Sequence, residues 1–402
     1  MTLSRQKFLH LSALGLTAST FLPEVKAASG VGAIDSVKIT KVKPYVFKKA
    51  TFVKIETDAG VSGWGEADHD HPEIVAKVIE EFCKDEVEGQ NPFHSEHIWM
   101  QLFFKGEDLG TTGLLPGTIA GIDNALWDLK GKLLNMPVRN LLGSTQDEKV
   151  RVYGSYGRSG GKNGQKNATE MAATGAAFVE QGYTTIKARM QIRQLNVDPD
   201  PDPTFEIVRE VRKAVGDDIE LFVDFNNGYT PAKAIEMGLR LYEHFNIAAL
   251  EEPISYLDYP GLSQVVEALP IPVMAGEHEF NKWQMRDLLT VGKVDVINAD
   301  VIKCAGISEC KKISDMAHAF DRPIMVHNAR PTLATAASLQ LIGAIPNAAR
   351  VQEYGGRREE LGLNDLFEDY FTFKDGYLYI PDKPGLGLTV NEEAMEKLKR
   401  NQ

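Results

Sequence analysis

Cysteine is scarce in this chain, and its three cysteines cannot form a disulfide framework. None of Cys83, Cys304 and Cys310 lies at metal-ligand spacing from another Cys or a His, so we expect all three to pack in a core. Positive charge is also in deficit: 44 Lys and Arg stand against 56 Asp and Glu, a formal net charge of −12. Nucleic acids and anionic membranes select basic patches, so neither is expected as a main partner. An anionic small molecule stays open, because a bound metal ion can invert the local field.

Long apolar runs are lacking except at the N-terminus. There a run follows Arg5 and Lys7 and precedes a small-residue cleavage pattern that ends at Ala27. Residues 1–27 therefore have the layout of an export signal, too short and too rich in Ser and Thr for a membrane span. The stretch SRQKFL resembles a twin-arginine signal, with Gln6 where the second Arg would stand. We expect an exported, periplasmic protein; the alternative is a cytoplasmic one whose N-terminal segment is not a signal.

Two patterns divide the rest of the chain. Residues 34–147 alternate as antiparallel strands do, with a turn at Gly60, and then show helical spacing, which predicts an α+β capping domain. In residues 148–356, eight short apolar runs alternate with amphipathic segments, which predicts an α/β fold with a parallel TIM-type barrel. A doubly wound open sheet is the alternative, but it usually carries a glycine fingerprint after its first strand, and the sequence has none. Residues 357–402 read as hairpin-like and should return to the cap.

Polar side chains follow the carboxyl ends of the predicted barrel strands. They are Lys187, Arg189, Asp224, Asn226, Glu251, Glu277, Asp300, His327 and Glu353. From Asp224 onward the strand-end residues are spaced about 23 to 27 residues apart, one βα unit each, so all should meet at one rim. Any one alone is more simply a helix N-cap or a solvated loop residue. Their repetition in register on consecutive strands favours a shared site.

Three of these carboxylates, Asp224, Glu251 and Glu277, would repel one another in a dry site. A hard divalent cation removes the repulsion, and an all-oxygen set suits Mg²⁺, which keeps positions open for water or substrate oxygens. We therefore predict one Mg²⁺ per subunit, held by these three residues. Glu252, next to Glu251, should point elsewhere.

The motifs VDFNN, LEEP and AGEH, followed by NADVIKCAGIS and MVHNA, resemble the enolase superfamily, in particular its mandelate racemase branch. The stretch AGIDNALWDLKGKLLNMPVRNLLG is similar to the cap-domain signature of that family, and the resemblance covers residues 34–396. It implies a modified TIM barrel, (β/α)7β, with a capping domain formed by the N-terminal part and the C-terminal tail. It also favours a homo-oligomer.

The resemblance implies roles for individual residues. Asp224, Glu251 and Glu277 match the Mg²⁺ ligands; Asp300 and His327 match a dyad in which the carboxylate orients the imidazole; Lys187 matches the first Lys of a Lys-x-Lys motif; Glu353 matches the eighth-strand acid that donates to the substrate carboxylate; Asn226 matches a position beside metal and substrate. Arg189 departs from the motif, because racemising members carry a Lys there. A guanidinium is a poor proton acceptor, which disfavours two-base proton transfer and leaves a one-base route through His327 open.

These roles imply abstraction of the proton α to the carboxylate of a sugar acid, followed by loss of water to a 2-keto-3-deoxy acid. GEHEF, PDKPGLGLTVN and LNDLF are most similar to rhamnonate dehydratase-like members. One alternative is an epimerase, racemase or cycloisomerase acting on a (3,6-anhydro)hexonate through the same enediolate. A remote one is a non-catalytic sugar-acid binding protein, which would need neither the dyad nor three metal ligands. Lys48, Tyr156 and the loop residues His69 and His71 are candidate substrate contacts, although solvated loops or packing would also explain them.

Overall fold

The structure is a computed structural model that describes residues 34–47, 50–67, 71–145, 147–161, 164–328, 330–355 and 364–400. The chain divides into two units, Met1–Ser36 and Val37–Gln402, and almost all described residues belong to the second. Within these ranges no helix has both the length and the apolar character that a membrane span needs. The predicted signal segment, residues 1–27, lies outside the described residues, as do Lys48 and His69.

The N-terminal part of the second unit is an antiparallel sheet covered by helices. Its strands are β1 (Ile39–Phe47), β2 (Ala50–Thr57) and β3 (Ser62–Ala67), and its helices are α1 (Pro72–Val78), α2 (Lys84–Val87), α3 (Ser95–Lys105), α4 (Leu114–Leu133) and α5 (Val138–Leu142). Gly60 turns the chain between β2 and β3 with φ 75. Helix α4 lies directly on β3 because Gly63 has no side chain there: a Cβ would come 2.2 Å from the carbonyl oxygen of Ala125. This is the predicted α+β cap.

Eight parallel strand positions close into a barrel. They are β4 (Lys149–Gly157), β7 (Thr185–Arg189), β8 (Glu220–Asp224), β9 (Ala249–Glu251), β10 (Val273–Ala275), β11 (Val296–Ile297), a single bridge residue at Ile324, and β12 (Gln352–Tyr354); a small hairpin, β5 (Ser159–Gly161) and β6 (Gly164–Gln165), follows β4. Strands β4 and β7 to β11 pair in order, Ile324 bridges Ile297 of β11 and Ala348, and β12 pairs with β4. That closure confirms the TIM-type barrel and rules out the open sheet.

Helices surround the barrel, and most are amphipathic, whereas the last of them, Leu333–Ile342, is buried along its whole length. They are α6 (Ala168–Glu180), α7 (Thr204–Val215), α8 (Pro231–Phe245), α9 (Tyr259–Ala268), α10 (Lys282–Asp287), α11 (Ile307–Ala319) and α12 (Leu333–Ile342). Helix α6 begins at a capping box between Asn167 and Glu170, and α8 begins after a Thr230 cap. Side chains alternate along each strand, so one set fills the barrel interior, including Tyr153, and the other packs against the helices.

The C-terminal segment goes to two places. Strands β13 (Phe373–Lys374) and β14 (Tyr377–Tyr379) form a hairpin, and β14 pairs antiparallel with the start of β4. The hairpin therefore adds to a barrel strand, whereas the sequence suggested that it returns to the cap. The last helix, α13 (Glu392–Arg400), does reach the cap: Lys54 donates a 2.9 Å hydrogen bond to Glu392.

Candidate active site

The predicted site residues lie at the carboxyl ends of the barrel strands. Arg189 is paired in register with Asp224, and Asp224 with Glu251, so three neighbouring strands bring their last residues to one level. Parallel strands that end together must present their final side chains at the same rim. The polar residues that recur at the strand ends therefore meet at one rim of the barrel, as the sequence predicted.

Lys187 lies inside the barrel between two carboxylates. Its Nζ is 2.6 Å from Glu251 Oε1 and 3.1 Å from Glu353 Oε1, and all three side chains are buried. Burial alone would lower the pKa of Lys187, but the charges of Glu251 and Glu353 raise it well above its usual value, so the amine is an ammonium. Burial would likewise raise the pKa of Glu353, yet Lys187 holds it at about 2. The ammonium of Lys187 therefore favours the carboxylate form of Glu353 in this arrangement.

His327 and Asp300 form the predicted pair. The imidazole Nδ1 is 2.6 Å from Asp300 Oδ2, and the other Asp300 oxygen accepts the backbone N–H of Ile302 at 2.8 Å. On its far side, His327 Nε2 is 3.1 Å from Glu277 Oε2. Burial would lower the pKa of His327, but Glu277 and Asp300 raise it to about 9. The imidazole is thus fixed in orientation, with Nε2 directed at the rim.

Asp224 is held by Asn226. The backbone N–H and the side-chain amide of Asn226 donate to the two Asp224 oxygens at 2.7 and 2.8 Å, while the Asn226 carbonyl oxygen accepts from the backbone of Gln191 at 2.7 Å. Asn226 therefore positions Asp224, and one amide N–H of its side chain remains for a further partner. Burial raises the pKa of Asp224 to about 7, against the opposing charges of Lys187 and Arg189.

The donor chemistry of Asp224, Glu251 and Glu277 fits a hard divalent ion. Burial, with the charges of Asp224 and Glu353, raises the pKa of Glu251 well above its usual range although Lys187 opposes it. Glu251 Oε2 is buried without a hydrogen-bond partner among the described residues. A cation would give this oxygen a partner and relieve the repulsion between the carboxylates.

The carboxylate oxygens of the three predicted ligands are not gathered around one point in this structure. Asp224 is bonded to Asn226, Glu251 to Lys187, and Glu277 to His327. Within the described ranges, the group whose donor atoms already lie within 4.8 Å of one another is Glu252, Glu277 and His278. Binding of one ion by the predicted trio would therefore need side-chain rotation at positions that the backbone already brings side by side.

Tyr156 is a prediction that the structure corrects. It is 1% exposed and packs against Phe178 with ring centroids 5.6 Å apart, on the helix side of β4. Its hydroxyl faces helix α6: a Cβ added to Gly175 of that helix would be 2.6 Å from the hydroxyl oxygen. The strand alternates its faces, so Tyr153 and Ser155 point inward instead, and Ser155 is in register with Lys187. Side chains alternate along a strand, so Ser155 shares a face with Tyr153 and not with Tyr156. This alternation was the feature of the sequence that could have identified Ser155 as a residue of the barrel interior.

Arg189 remains half-buried at the rim. Its Nε is buried without a hydrogen-bond partner among the described residues, and its charge adds to that of Lys187 in lowering the pKa of Glu353. His278 was not predicted as a site residue, although it directly follows Glu277 in the AGEH motif. Its Nδ1 is 2.5 Å from Glu252 Oε1, which confirms that Glu252 points away from Glu251.

Comparison with known proteins gives the family. The profile described as "Enolase C-terminal domain-like" matches residues 170–394, and the "Mandelate racemase / muconate lactonizing enzyme, N-terminal domain" matches residues 38–143. The chain therefore belongs to the mandelate racemase branch of the enolase superfamily.

Relatives with named activities are similar over most of their length. Arabinonate dehydratase of Saccharolobus solfataricus is 31% identical over 86% of this chain and 89% of its own, and D-galactarolactone cycloisomerase of Agrobacterium fabrum is 32% identical over 86% and 90%. A mandelate racemase/muconate lactonizing protein from Paracoccus denitrificans, solved as a complex with magnesium, superposes with a TM-score of 0.83 at 27% identity, over 90% of this chain and 98% of that one.

Proposed function

We propose that this protein is a Mg²⁺-dependent acid-sugar dehydratase, with Asp224, Glu251 and Glu277 as the metal ligands. The observation that carries the proposal is that two of the predicted ligands each contact a group suited to the reaction. An ammonium, Lys187, lies 2.6 Å from Glu251, and an oriented imidazole, His327, lies 3.1 Å from Glu277. An imidazole and a cation beside a cluster of carboxylates suit abstraction of a proton next to a substrate carboxylate. The dehydratase relative supports the reaction class.

Mg²⁺ would supply the fixed positive charge that an enediolate needs on its oxygens. Lys187 donates N–H to the substrate carboxylate and adds a second positive charge. Asp300 holds a proton of His327 on Nδ1 and leaves Nε2 directed at the rim. The charges of Glu277 and Asp300 raise the pKa of His327 to about 9. A metal ion held by Glu277 would offset the charge of that carboxylate and lower the pKa of His327, so that Nε2 could accept a proton. His327 takes the C2 proton and, as imidazolium, gives a proton to the departing 3-hydroxyl. Glu353, as a carboxylate, keeps Lys187 charged and directs its amine.

Arg189 binds and orients oxygen atoms of the substrate. Its fork has five donors and no acceptor, and it stays protonated at any working pH. It therefore cannot serve as a second base on the face of the substrate opposite His327.

A cycloisomerase is the second candidate, because a named cycloisomerase is as similar to this chain as the dehydratase is. It would use the same enediolate but expel a ring oxygen instead of water. The two reactions share every residue named above and differ in the substrate.

The test is to incubate the full chain and Mg²⁺ with a library of aldonic, aldaric and anhydro-sugar acids, and to assay 2-keto acid with semicarbazide. Keto acid from an open-chain acid supports dehydration, and keto acid from an anhydro-sugar acid supports cycloisomerisation. Deuterium uptake at C2 without keto acid supports epimerisation. His327→Asn should abolish all of these, whereas His318→Asn, an exposed histidine on α11, should change none. Activity that survives His327→Asn, or thorough EDTA treatment, would contradict the proposal.

We also propose three features on the basis of the sequence. They are domain boundaries at residues 147/148 and 356/357, export directed by residues 1–27, and assembly as a homo-oligomer. Mass spectrometry of the N-terminus after periplasmic extraction tests export, and light scattering of the purified chain tests assembly.

A further inference from the structure

Glu252 is a buried carboxylate that the proposed reaction does not use. It is 3% exposed, and its backbone is held at φ 43, a left-handed conformation that is costly for a side chain of this size. Its Oε1 is 2.5 Å from His278 Nδ1, and its Oε2 is buried with no hydrogen-bond partner among the described residues. The strained backbone holds the Glu252 carboxylate in place while one of its oxygens has no hydrogen-bond partner among the described residues. A ligand at that oxygen would offset the cost of burying it.

His278 presents its ring to the same place. The ring is stacked on Tyr256, with centroids 4.8 Å apart and planes 10° from parallel. Its Nδ1 is 3.9 Å from Glu277 Oε1. The donor atoms of Glu252, Glu277 and His278 all lie within 4.8 Å of one another, so one ion could contact all three after shifts well under a side-chain length.

This group shares one residue, Glu277, with the predicted magnesium ligands and differs from them in the other two. Glu251 bonds to Lys187, whereas the next residue, Glu252, bonds to His278. Glu277 is the shared member: its Oε2 faces His327, and its Oε1 faces His278. A carboxylate with its two oxygens on different partners can bridge two cations.

We propose that Glu252, Glu277 and His278 form a second divalent-cation site, selective for a transition ion such as Zn²⁺ over Mg²⁺. Imidazole is a ligand that Zn²⁺ favours and Mg²⁺ does not, while the predicted magnesium site contains only oxygens. Binding replaces the proton between His278 Nδ1 and Glu252 with the metal ion. The competing cation is Lys303, whose Nζ reaches Glu277 Oε1 at 3.9 Å. The site does not depend on the reaction proposed above.

The experiment counts zinc on the full chain. Metal-stripped protein is equilibrated with millimolar Mg²⁺ and micromolar Zn²⁺, and bound zinc is measured by atomic emission. The wild type should hold about one Zn²⁺ per chain. His278→Gln and Glu252→Gln should each weaken zinc binding at least about tenfold, the range lost when even supporting groups of a metal site are removed. Tyr256→Phe, which keeps the stacked ring, should bind zinc as the wild type does.

Asp224→Asn separates this site from the magnesium site. If the inference is right, this variant still binds zinc, even if it loses every dehydratase activity. Loss of zinc in Asp224→Asn with retention in His278→Gln would overturn the inference, as would a wild type that binds no zinc. Zinc-edge X-ray absorption provides a second readout. One imidazole in the first shell of the wild type that is absent in His278→Gln supports the site, and an all-oxygen shell in the wild type, or an imidazole that persists in His278→Gln, refutes it.

Discussion

Replacement of Lys187 by Met tests the electrostatic core of the site. The ammonium is fully buried and contacts Glu251 at 2.6 Å and Glu353 at 3.1 Å. Met fills most of the same volume without the charge, so two buried carboxylates lose their shared partner. Breaking a buried ion pair by removal of one member costs about 3–5 kcal/mol. The free energy of unfolding in EDTA should fall by that amount.

The corresponding change in melting temperature follows from the size of the protein. A unit of about 370 residues has an unfolding entropy of roughly 0.8 kcal/mol/K, so the loss of stability lowers Tm by about 4–6 °C. Mg²⁺ should then stabilise the variant more than it stabilises the wild type, because the ion restores a positive charge beside Glu251.

The assay is differential scanning calorimetry at one pH, with EDTA and with excess Mg²⁺. Lys213→Met, on the exposed face of α7, is the matched control and should melt with the wild type. Two results would refute the reasoning: a Lys187→Met variant that melts with the wild type in EDTA, or a magnesium-induced shift no larger in the variant than in the wild type.

Three other changes test separate parts of the structure. Arg189→Lys should add slow epimerisation or deuterium exchange at C2, because an amine can lose its proton and a guanidinium cannot; NMR of recovered substrate measures it, and an unchanged C2 centre counts against our view of Arg189. Tyr156→Phe should leave KM and kcat within about twofold, since its hydroxyl faces α6, and a large rise in KM would restore it as a substrate contact. Asp123→Asn should flatten the pH dependence of stability. Burial raises the pKa of Asp123 from 3.8 to about 6, so its contribution is present below pH 4 and is lost as the pH rises through 6, by about 3 kcal/mol. Chemical denaturation between pH 4 and 7 measures this, and parallel curves for variant and wild type would exclude it.

The strand-end pattern predicted the barrel and the location of its site because both follow from local rules. Glu251 and Glu277 end buried strands, and any parallel barrel must gather such residues at one rim. The same logic placed His327 beside Asp300, whose strand is its neighbour. Periodicity along the chain was sufficient, and no side-chain detail was needed.

Side-chain partners were predicted less well. Tyr156 was assigned to the pocket and Ser155 was overlooked, because the inward face of β4 depends on a register that one strand read alone does not define. The hydrogen bonds of the Asn226 side chain to Asp224 and Gln191 were not predicted either. The C-terminal hairpin was expected on the cap, but the open edge at the start of β4 takes β14.

The amino-acid sequence by itself determined the alternation of buried strands with amphipathic helices and the acidic or basic residue at the end of each strand, since both are properties of neighbouring positions along the chain. Tertiary structure decided which oxygen faces which partner: that Lys187 binds both Glu251 and Glu353, that the carboxylate of Glu277 is divided between His327 and His278, and that Glu252 turns away from Glu251. These contacts join residues far apart in the chain, and their energies depend on distance and burial, which exist only after the barrel has closed.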